Sequence, residues 1–345
     1  MIKPTIFYFV HAHGHGHRAT FKLLYPALSL YFKVIAITTN SEITWYLNQK
    51  HDDLEVLELP SKYPPGYKVP EHTFSKAFEV TPYAVEPAGR ARVLAEAIER
   101  YQPKALYCDG VPELAIMVRG MGVPVVLVHL PGNVIADPTQ VFAHELADHI
   151  IAHFPANLEQ ANYQFASKTY YSGYLSQFAA DELTQYEYPD INHITVLLGY
   201  DNYEESVLKN LTKDQGTPFT IIGNKQNYAL GENCTQLGFI DDISKAIVGE
   251  IVISAAGQNT IAELLSLGKK LILLPEPRPY DEQTVHANVL ADRQVALLAQ
   301  ENFTPEQWQK VIQKAKVLSI YKETLVNALA PKAIAEKMRD WYARI

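Results

Sequence analysis

What most constrains this chain is a rhythm. Short runs of β-branched and aromatic residues, each stopping at a glycine, proline or polar turn, alternate with segments that carry apolar residues at helical spacing. Residues 5–10 (TIFYFV), 33–38, 54–59, 105–108, 123–129, 149–153 and 169–171 read as strands, and residues 19–30, 42–49, 88–101 and 113–119 as helices. Such alternation implies parallel pairing, because parallel strands need a long crossover and a helix supplies it. A polar stretch at 172–192 interrupts the pattern and reads as an interdomain linker. It restarts with strands at 194–198, 219–222, 251–253, 271–274 and 295–298. The expected fold class is therefore α/β, with a first Rossmann-like domain at 1–175 and a second at 193–330. An amphipathic helix at 331–345 follows, with Ile334, Met338 and Trp341 on one stripe. A length of 345 residues suffices for two cores.

Composition narrows the partners. A formal net charge of −8 argues against a nucleic acid, whose phosphates call for an excess of lysine and arginine. Cys108 and Cys234 are the two cysteines, so there is no disulfide framework and no cysteine metal knuckle, and a reducing cytoplasm fits. The apolar run at 5–10 is too short for a secretory core or a membrane span, and no later run is long enough. A cytoplasmic location is expected, with peripheral contact to the inner face of a membrane left open. The rhythm breaks at 60–87, where Tyr63, Pro64, Pro65, Tyr67, Phe74, Phe78 and Tyr83 gather in a connection longer than compact α/β units use. That insertion is either an acceptor loop or an aromatic-anchored loop without substrate contact.

Two strand-end turns carry chemistry. In the run 251–263 (IVISAAGQNTIAE), a buried strand stops at small residues and a helix pattern opens just after Gly257. Backbone amides and the positive end of a helix then point into one turn, which is suited to an anion. Gly257 admits a phosphate close to the backbone, Asn259 and Thr260 add side-chain donors, and Glu263 is spaced to accept from a ribose diol. Gln283 has a donor and an acceptor for sugar hydroxyls, and His286 lies one helical turn beyond it. Ligands in open α/β sheets bind beyond the carboxyl ends of strands, so Gly199, Gly223, Gly257 and Pro275 should rim one crevice. A bare alternative is that Gly257 and Pro275 only punctuate the chain.

The second turn, residues 11–20 (HAHGHGHRAT), closes the first strand. Gly14 and Gly16 permit tight geometry, and the helix that starts near Arg18 favours an anionic or hydroxyl-bearing ligand. An imidazole here can accept a proton near neutrality.

Gly257-x-Asn259-Thr260-x-x-Glu263, with Asp281-Glu282-Gln283 downstream and Phe239-Ile240-Asp241-Asp242 upstream, resembles the donor segment of inverting GT-B glycosyltransferases that use UDP-sugars. The resemblance is to glycosyltransferase family 28, the family of the enzyme that adds N-acetylglucosamine in peptidoglycan lipid synthesis. It is specific over about residues 237–298 and loose elsewhere. It implies a GT-B fold, two Rossmann-like α/β domains facing each other across a cleft, with the last helix crossing back to the first. It also implies inverting, metal-independent sugar transfer from a UDP-sugar co-substrate, without a further cofactor, to an acceptor glycan, lipid-linked sugar or small aglycone. By resemblance, Phe239 and Ile240 frame the uracil, the Gly257 turn holds the pyrophosphate, Glu263 binds ribose and Glu282 with Gln283 meets the sugar. Gly199 looks like a phosphate or sugar loop. His17 matches the residue that approaches the acceptor hydroxyl, and Asp109 resembles the aspartate that orients this base in plant-type relatives. One departure stands out: family members place His or Arg at the position of Ala255, so another cation, with Arg18 and His15 as candidates, or the amides alone must meet the diphosphate.

His13 is a rival base. An epimerase or hydrolase of the same fold, and a nucleotide-sugar binding protein without turnover, share these features. From another class, His11 and His13 at one strand end with His129 and His153 at others imitate the ligands of a metal-dependent amidohydrolase, a reading that requires one β/α barrel spanning the chain.

Overall fold

The computed structural model describes residues 3–11, 16–51, 53–68, 75–180, 192–199, 203–214, 216–240 and 242–342. The chain divides into two compact units, one of Met1–Pro155, Ala161–Gly173 and Leu329–Ile345, the other of Ala156–Gln160 and Tyr174–Ala328.

The first unit carries β1 (Thr5–Phe9), β2 (Lys33–Thr38), β3 (Glu55–Glu58), β4 (Leu106–Cys108), β5 (Val125–His129), β6 (His149–Ala152) and β7 (Thr169–Tyr171). Between them run α1 (Gly16–Leu28), α2 (Ser41–Lys50), α3 (Glu86–Tyr101), α4 (Pro112–Gly120) and α5 (Pro138–Leu146). All seven strands are parallel, in the order β3-β2-β1-β4-β5-β6-β7. The central strands are buried along their whole length, as expected where helices cover both faces of a parallel sheet. Local chemistry sets the helix starts. Asn40 Oδ1 accepts from the amides of Glu42 and Ile43 ahead of α2, and Asp137 Oδ1 accepts from Thr139 ahead of α5, where Pro138 takes the first helical position.

The second unit carries β8 (Ile194–Leu197), α6 (Glu205–Leu211), β9 (Phe219–Ile222), β10 (Cys234–Leu237), β11 (Ile251–Ser254), α7 (Gln258–Ser266), β12 (Lys270–Leu273), α8 (Glu282–Asp292), β13 (Ala296–Leu298), α9 (Pro305–Lys316) and α10 (Lys322–Leu325). Its six strands are also parallel, ordered β10-β9-β8-β11-β12-β13. Thr304 and Gln307 cap α9 reciprocally, and Trp308 beneath that cap is fully buried. Finally α11 (Ala330–Tyr342) belongs to the first unit and packs on α1 with Ile334, Ala335 and Met338 buried. Trp341 leaves that buried stripe and stacks on His149, ring centroids 3.8 Å apart.

Some boundaries differ from the sequence reading. The first helix opens at Gly16 instead of residue 19, which brings His17 into its first turn. The edge strand β10 went unseen because its sequence, CTQL, is half polar and none of its residues is buried. Residues 156–160 group with the second unit, and Tyr174 bridges Val326 there, so the change of unit falls at Gly173. Of the expected linker, residues 181–191 lie outside the described residues. Both sheets are open, which overturns the single closed barrel that an amidohydrolase would need. Among the described residues, no helix is long and apolar enough to cross a membrane.

Each sheet reverses its strand order once, between β1 and β4 and between β8 and β11. Crevices form at such switch points, beyond the carboxyl ends of the strands.

Candidate functional site

At the first switch point, α1 follows β1 and Asp109 follows β4. His17 Nδ1 lies 2.8 Å from Asp109 Oδ2; the aspartate side chain is 4% exposed and the histidine side chain 21%. Gly110 makes this pairing feasible in two ways. Its φ of +79° is a left-handed conformation, and a Cβ there would come within 3.3 Å of His17 Cε1. Burial alone would push the Asp109 carboxyl up, but the field and hydrogen bond of His17, with the fields of His153 and His11, hold it below the ordinary value. An ionised carboxylate only accepts, so the Nδ1 that faces it carries the proton, and a neutral ring in this orientation holds its lone pair on Nε2. Behind the pair, Tyr107 Oη meets His153 Nε2 at 2.7 Å, and burial pushes His153 down to about 4 despite the attraction of Asp109. This histidine is neutral.

Gly16 begins α1. Arg18 places its guanidinium 5.3 Å from the ring centroid of Tyr46, beside a groove that Ser41, Glu42 and Trp45 also line. Gly14, His15 and the rival base His13 lie outside the described residues, as do Tyr200, Asp201, Asn202 and Asp241. Of the histidines in the metal reading, His129 is buried and stacks on Tyr163 with centroids 3.9 Å apart. Among the described residues, no three of His, Cys, Asp and Glu converge on a metal position.

At the second switch point, β11 runs out through Ala255 and Ala256 into Gly257, which precedes α7 with an extended backbone (φ −65°, ψ 132°). A Cβ on Gly257 would meet only Gln283 Nε2 and Thr260 Oγ1, both at 3.9 Å, an ordinary contact. Neither conformation nor packing demands glycine here; what its absent side chain provides is open space before the helix amides. Asn259 and Thr260 lie in that first turn, half-buried. Gln177 Nε2 donates to Glu263 Oε1 at 3.1 Å, so the carboxylate expected to meet ribose is held in place. Phe239 is 78% exposed and Ile240 half-buried, beyond the end of β10.

Three sequence expectations change. Gln283 is buried, and its Oε1 accepts from the amides of Ala256 (3.1 Å) and Glu276 (2.8 Å), so the oxygen expected to greet sugar instead ties two loops together. Gly199 is glycine because a Cβ there would lie 2.0 Å from Glu276 Oε1. His286 is buried against Tyr174, with Nε2 to Oη at 2.6 Å, and burial pushes it down to about 4. Sequence reasoning missed Glu276 and Arg278 altogether. Glu276 is 4% exposed, and its Oε2 lies 2.5 Å from Arg278 Nη2. A signal was present: 275–279 reads PEPRP, whose prolines hold two charged residues extended at a strand end. Just beyond, Tyr280 and Asp281 both adopt left-handed φ (60° and 51°) before Glu282 opens α8, strain of the kind that gathers at working sites.

The arrangement matches known proteins over its whole length. MurG of Acinetobacter baumannii superposes with a TM-score of 0.70 at 17% identity, covering 98% of this chain and all of that one. The calicheamicin glycosyltransferase CalG4 superposes with a TM-score of 0.69 at 14% identity, covering both chains completely. This is a GT-B fold. Residues 172–340 match the glycosyltransferase family 28 C-terminal domain. Among curated relatives, the UDP-N-acetylglucosamine--N-acetylmuramyl-(pentapeptide) pyrophosphoryl-undecaprenol N-acetylglucosamine transferase of Syntrophotalea carbinolica is 44% identical over 71 residues, 20% of each chain. Its namesake in Actinobacillus pleuropneumoniae serotype 5b is 25% identical over 242 residues, 63% of this chain and 65% of that one. The aligned part therefore spans from a fifth to just under two thirds of these relatives' lengths.

Proposed function

We propose that this protein transfers a sugar from a UDP-sugar to a hydroxyl acceptor with inversion and without a metal. The observation that carries the reading is the 2.8 Å His17–Asp109 pair at one switch point of a chain whose second unit presents an amide-lined turn at the other. His17 Nε2 takes the proton of the acceptor hydroxyl as that oxygen attacks the anomeric carbon; the bond from that carbon to the UDP oxygen breaks, and the electron pair leaves with the diphosphate. Asp109 stabilises the imidazolium that forms. The Gly257 turn meets the diphosphate with amides and the helix dipole, and Glu263 accepts from the ribose. The family 28 domain supports this donor site, and the relatives' names make UDP-N-acetylglucosamine and a lipid-linked saccharide the first donor and acceptor to try. Such an acceptor would place the protein at the inner face of a membrane.

The test is transfer from labelled UDP-sugars to an acceptor panel, with the anomeric configuration of the product read by NMR and the assay repeated in excess EDTA. An inverted product at an undiminished rate supports the proposal. A retained configuration or loss of activity in EDTA refutes it, and free or isomerised sugar without an acceptor would favour a hydrolase or epimerase.

A further inference from the structure

We propose that Arg278, held by Glu276 across the end of β11, is the cation that receives the diphosphate of the donor. The assignment rests on the donor site proposed above and adds to it a residue that neither the sequence motif nor the turn contains.

The strands β8, β11 and β12 are consecutive neighbours in one parallel sheet. Gly199 lies just beyond β8, Ala255 just beyond β11 and Glu276 just beyond β12. Neighbouring strands are about 4.8 Å apart, so a side chain that starts beyond β12 and ends against Gly199 must cross the end of β11. Glu276 does this, with Oε1 only 2.0 Å from where a Cβ of Gly199 would stand. Small residues under the crossing make room for it: Ala255 and Ala256 are buried, and Gly199 has no side chain.

The crossing carboxylate is fixed at both ends. Its backbone amide donates to Gln283 Oε1, the same oxygen that accepts from Ala256, so the PEPRP segment is fastened to the turn that leads into α7. Its Oε2 meets Arg278 Nη2 at 2.5 Å, and Arg278 Nη1 donates to the Pro277 carbonyl at 3.0 Å. A carboxylate this buried needs a cation, and the pair is stable only with good hydrogen-bonding geometry. The arginine is less enclosed than its partner, its side chain 19% exposed against 5%. A planar guanidinium can hold a carboxylate on one edge and a phosphate on another.

Charge explains why the turn needs this help. The residues 255–260 (AAGQNT) include no cation, and the end of a helix supplies only about half a positive charge. A nucleoside diphosphate brings more negative charge than that. The nearest full positive charge that the hydrogen-bond chain Ala256–Gln283–Glu276 fastens to the turn is Arg278.

Calorimetric titration of the full chain with UDP, UMP and uridine tests this. Arg278→Ala is expected to weaken UDP tenfold or more, UMP less, and uridine not at all, with Arg278→Lys recovering part of the loss. Where the single alanine variant unfolds because Glu276 is left unpaired, the double variant Glu276→Gln/Arg278→Ala removes that charge and gives the same ranking. A folded variant that binds UDP as the wild type does, or that loses UDP and uridine equally, overturns the assignment while leaving the donor site standing. A wild-type protein that binds none of the three overturns the donor site itself and Arg278 with it.

Discussion

The two switch points solve different problems with the same topology. In the first unit the strand ends deliver side chains: a histidine in the first turn of α1 and a buried aspartate after β4 meet at 2.8 Å. In the second unit the strand end delivers backbone, as Ala255, Ala256 and Gly257 clear the space before the amides of α7. On the proposed function, the contrast follows from what each ligand would require. Moving a proton requires a titratable group in a fixed tautomer, which the His17–Asp109 pair at the first crevice would provide. On the same proposal, holding a diphosphate requires positive potential spread over several oxygens, to which amides contribute without any side chain provided nothing blocks the approach, and Arg278 adds the full charge that they lack. Glycine accordingly does different work in the two places. Gly110 is required by its left-handed backbone and crowded by the His17 ring, whereas among the described residues neither backbone nor packing requires Gly257.

The comparison breaks most sharply at His17. His17→Ala should lower transfer by about 10²- to 10⁴-fold, the usual worth of a general base, and leave UDP affinity unchanged. Equal rates for mutant and wild type would leave the first switch point without a chemical role. Asp109→Asn keeps the shape and removes the charge; a loss on the order of 10²-fold in kcat with little change in donor KM is expected from steady-state kinetics.

Buried histidines tie the stability of both units to pH. Burial pushes His144 and His153 in the first unit and His286 in the second down to about 4. Below the ordinary histidine value of about 6.5 the unfolded chain takes up protons that the folded chain does not. Stability is therefore full above that value and lost as the pH falls toward 4, with Asp109, whose carboxyl is also held low, adding a further loss at still lower pH. Urea unfolding should show a loss of about 2 kcal/mol for each such histidine between pH 7 and pH 5. His286→Gln should flatten that slope by the share of one proton; an unchanged slope would mean that His286 is charged in the fold.

The smallest effect is the most discriminating. Gly257→Ala should leave stability within about 1 kcal/mol, because the added methyl finds only ordinary contacts, yet weaken UDP about tenfold by standing before the amides. Thermal melts and calorimetry on the same sample separate the two. Undiminished UDP binding would show that the diphosphate does not approach the backbone there.

Much of the fold was legible because it is written locally. Runs such as VVLVH at 125–129 announce a strand buried on both faces, and the helices that alternate with such strands require parallel crossovers. The His17–Asp109 pair and the Gly257 turn could be named in advance because motif spacing and a family resemblance point to strand ends. Gln283 and His286 were placed in the right helix, but the partners that the fold gives them were not foreseen. Both are buried in α8, where one binds two backbone amides and the other a tyrosine from a distant segment. Nothing in their neighbourhood in sequence distinguishes those partners from a sugar.

By itself, then, the sequence determined two parallel α/β units, their strand-end turns and the residue types available at each, because hydrophobic period and turn chemistry act over a few residues. Only the tertiary structure decided which turns stand side by side. Strand order brings the ends of β8, β11 and β12 together from positions as far apart in sequence as Gly199 and Glu276, and in that meeting Gly199, Ala255, Glu276 and Arg278 become one arrangement. Contacts of that kind depend on sheet order, which no local pattern encodes.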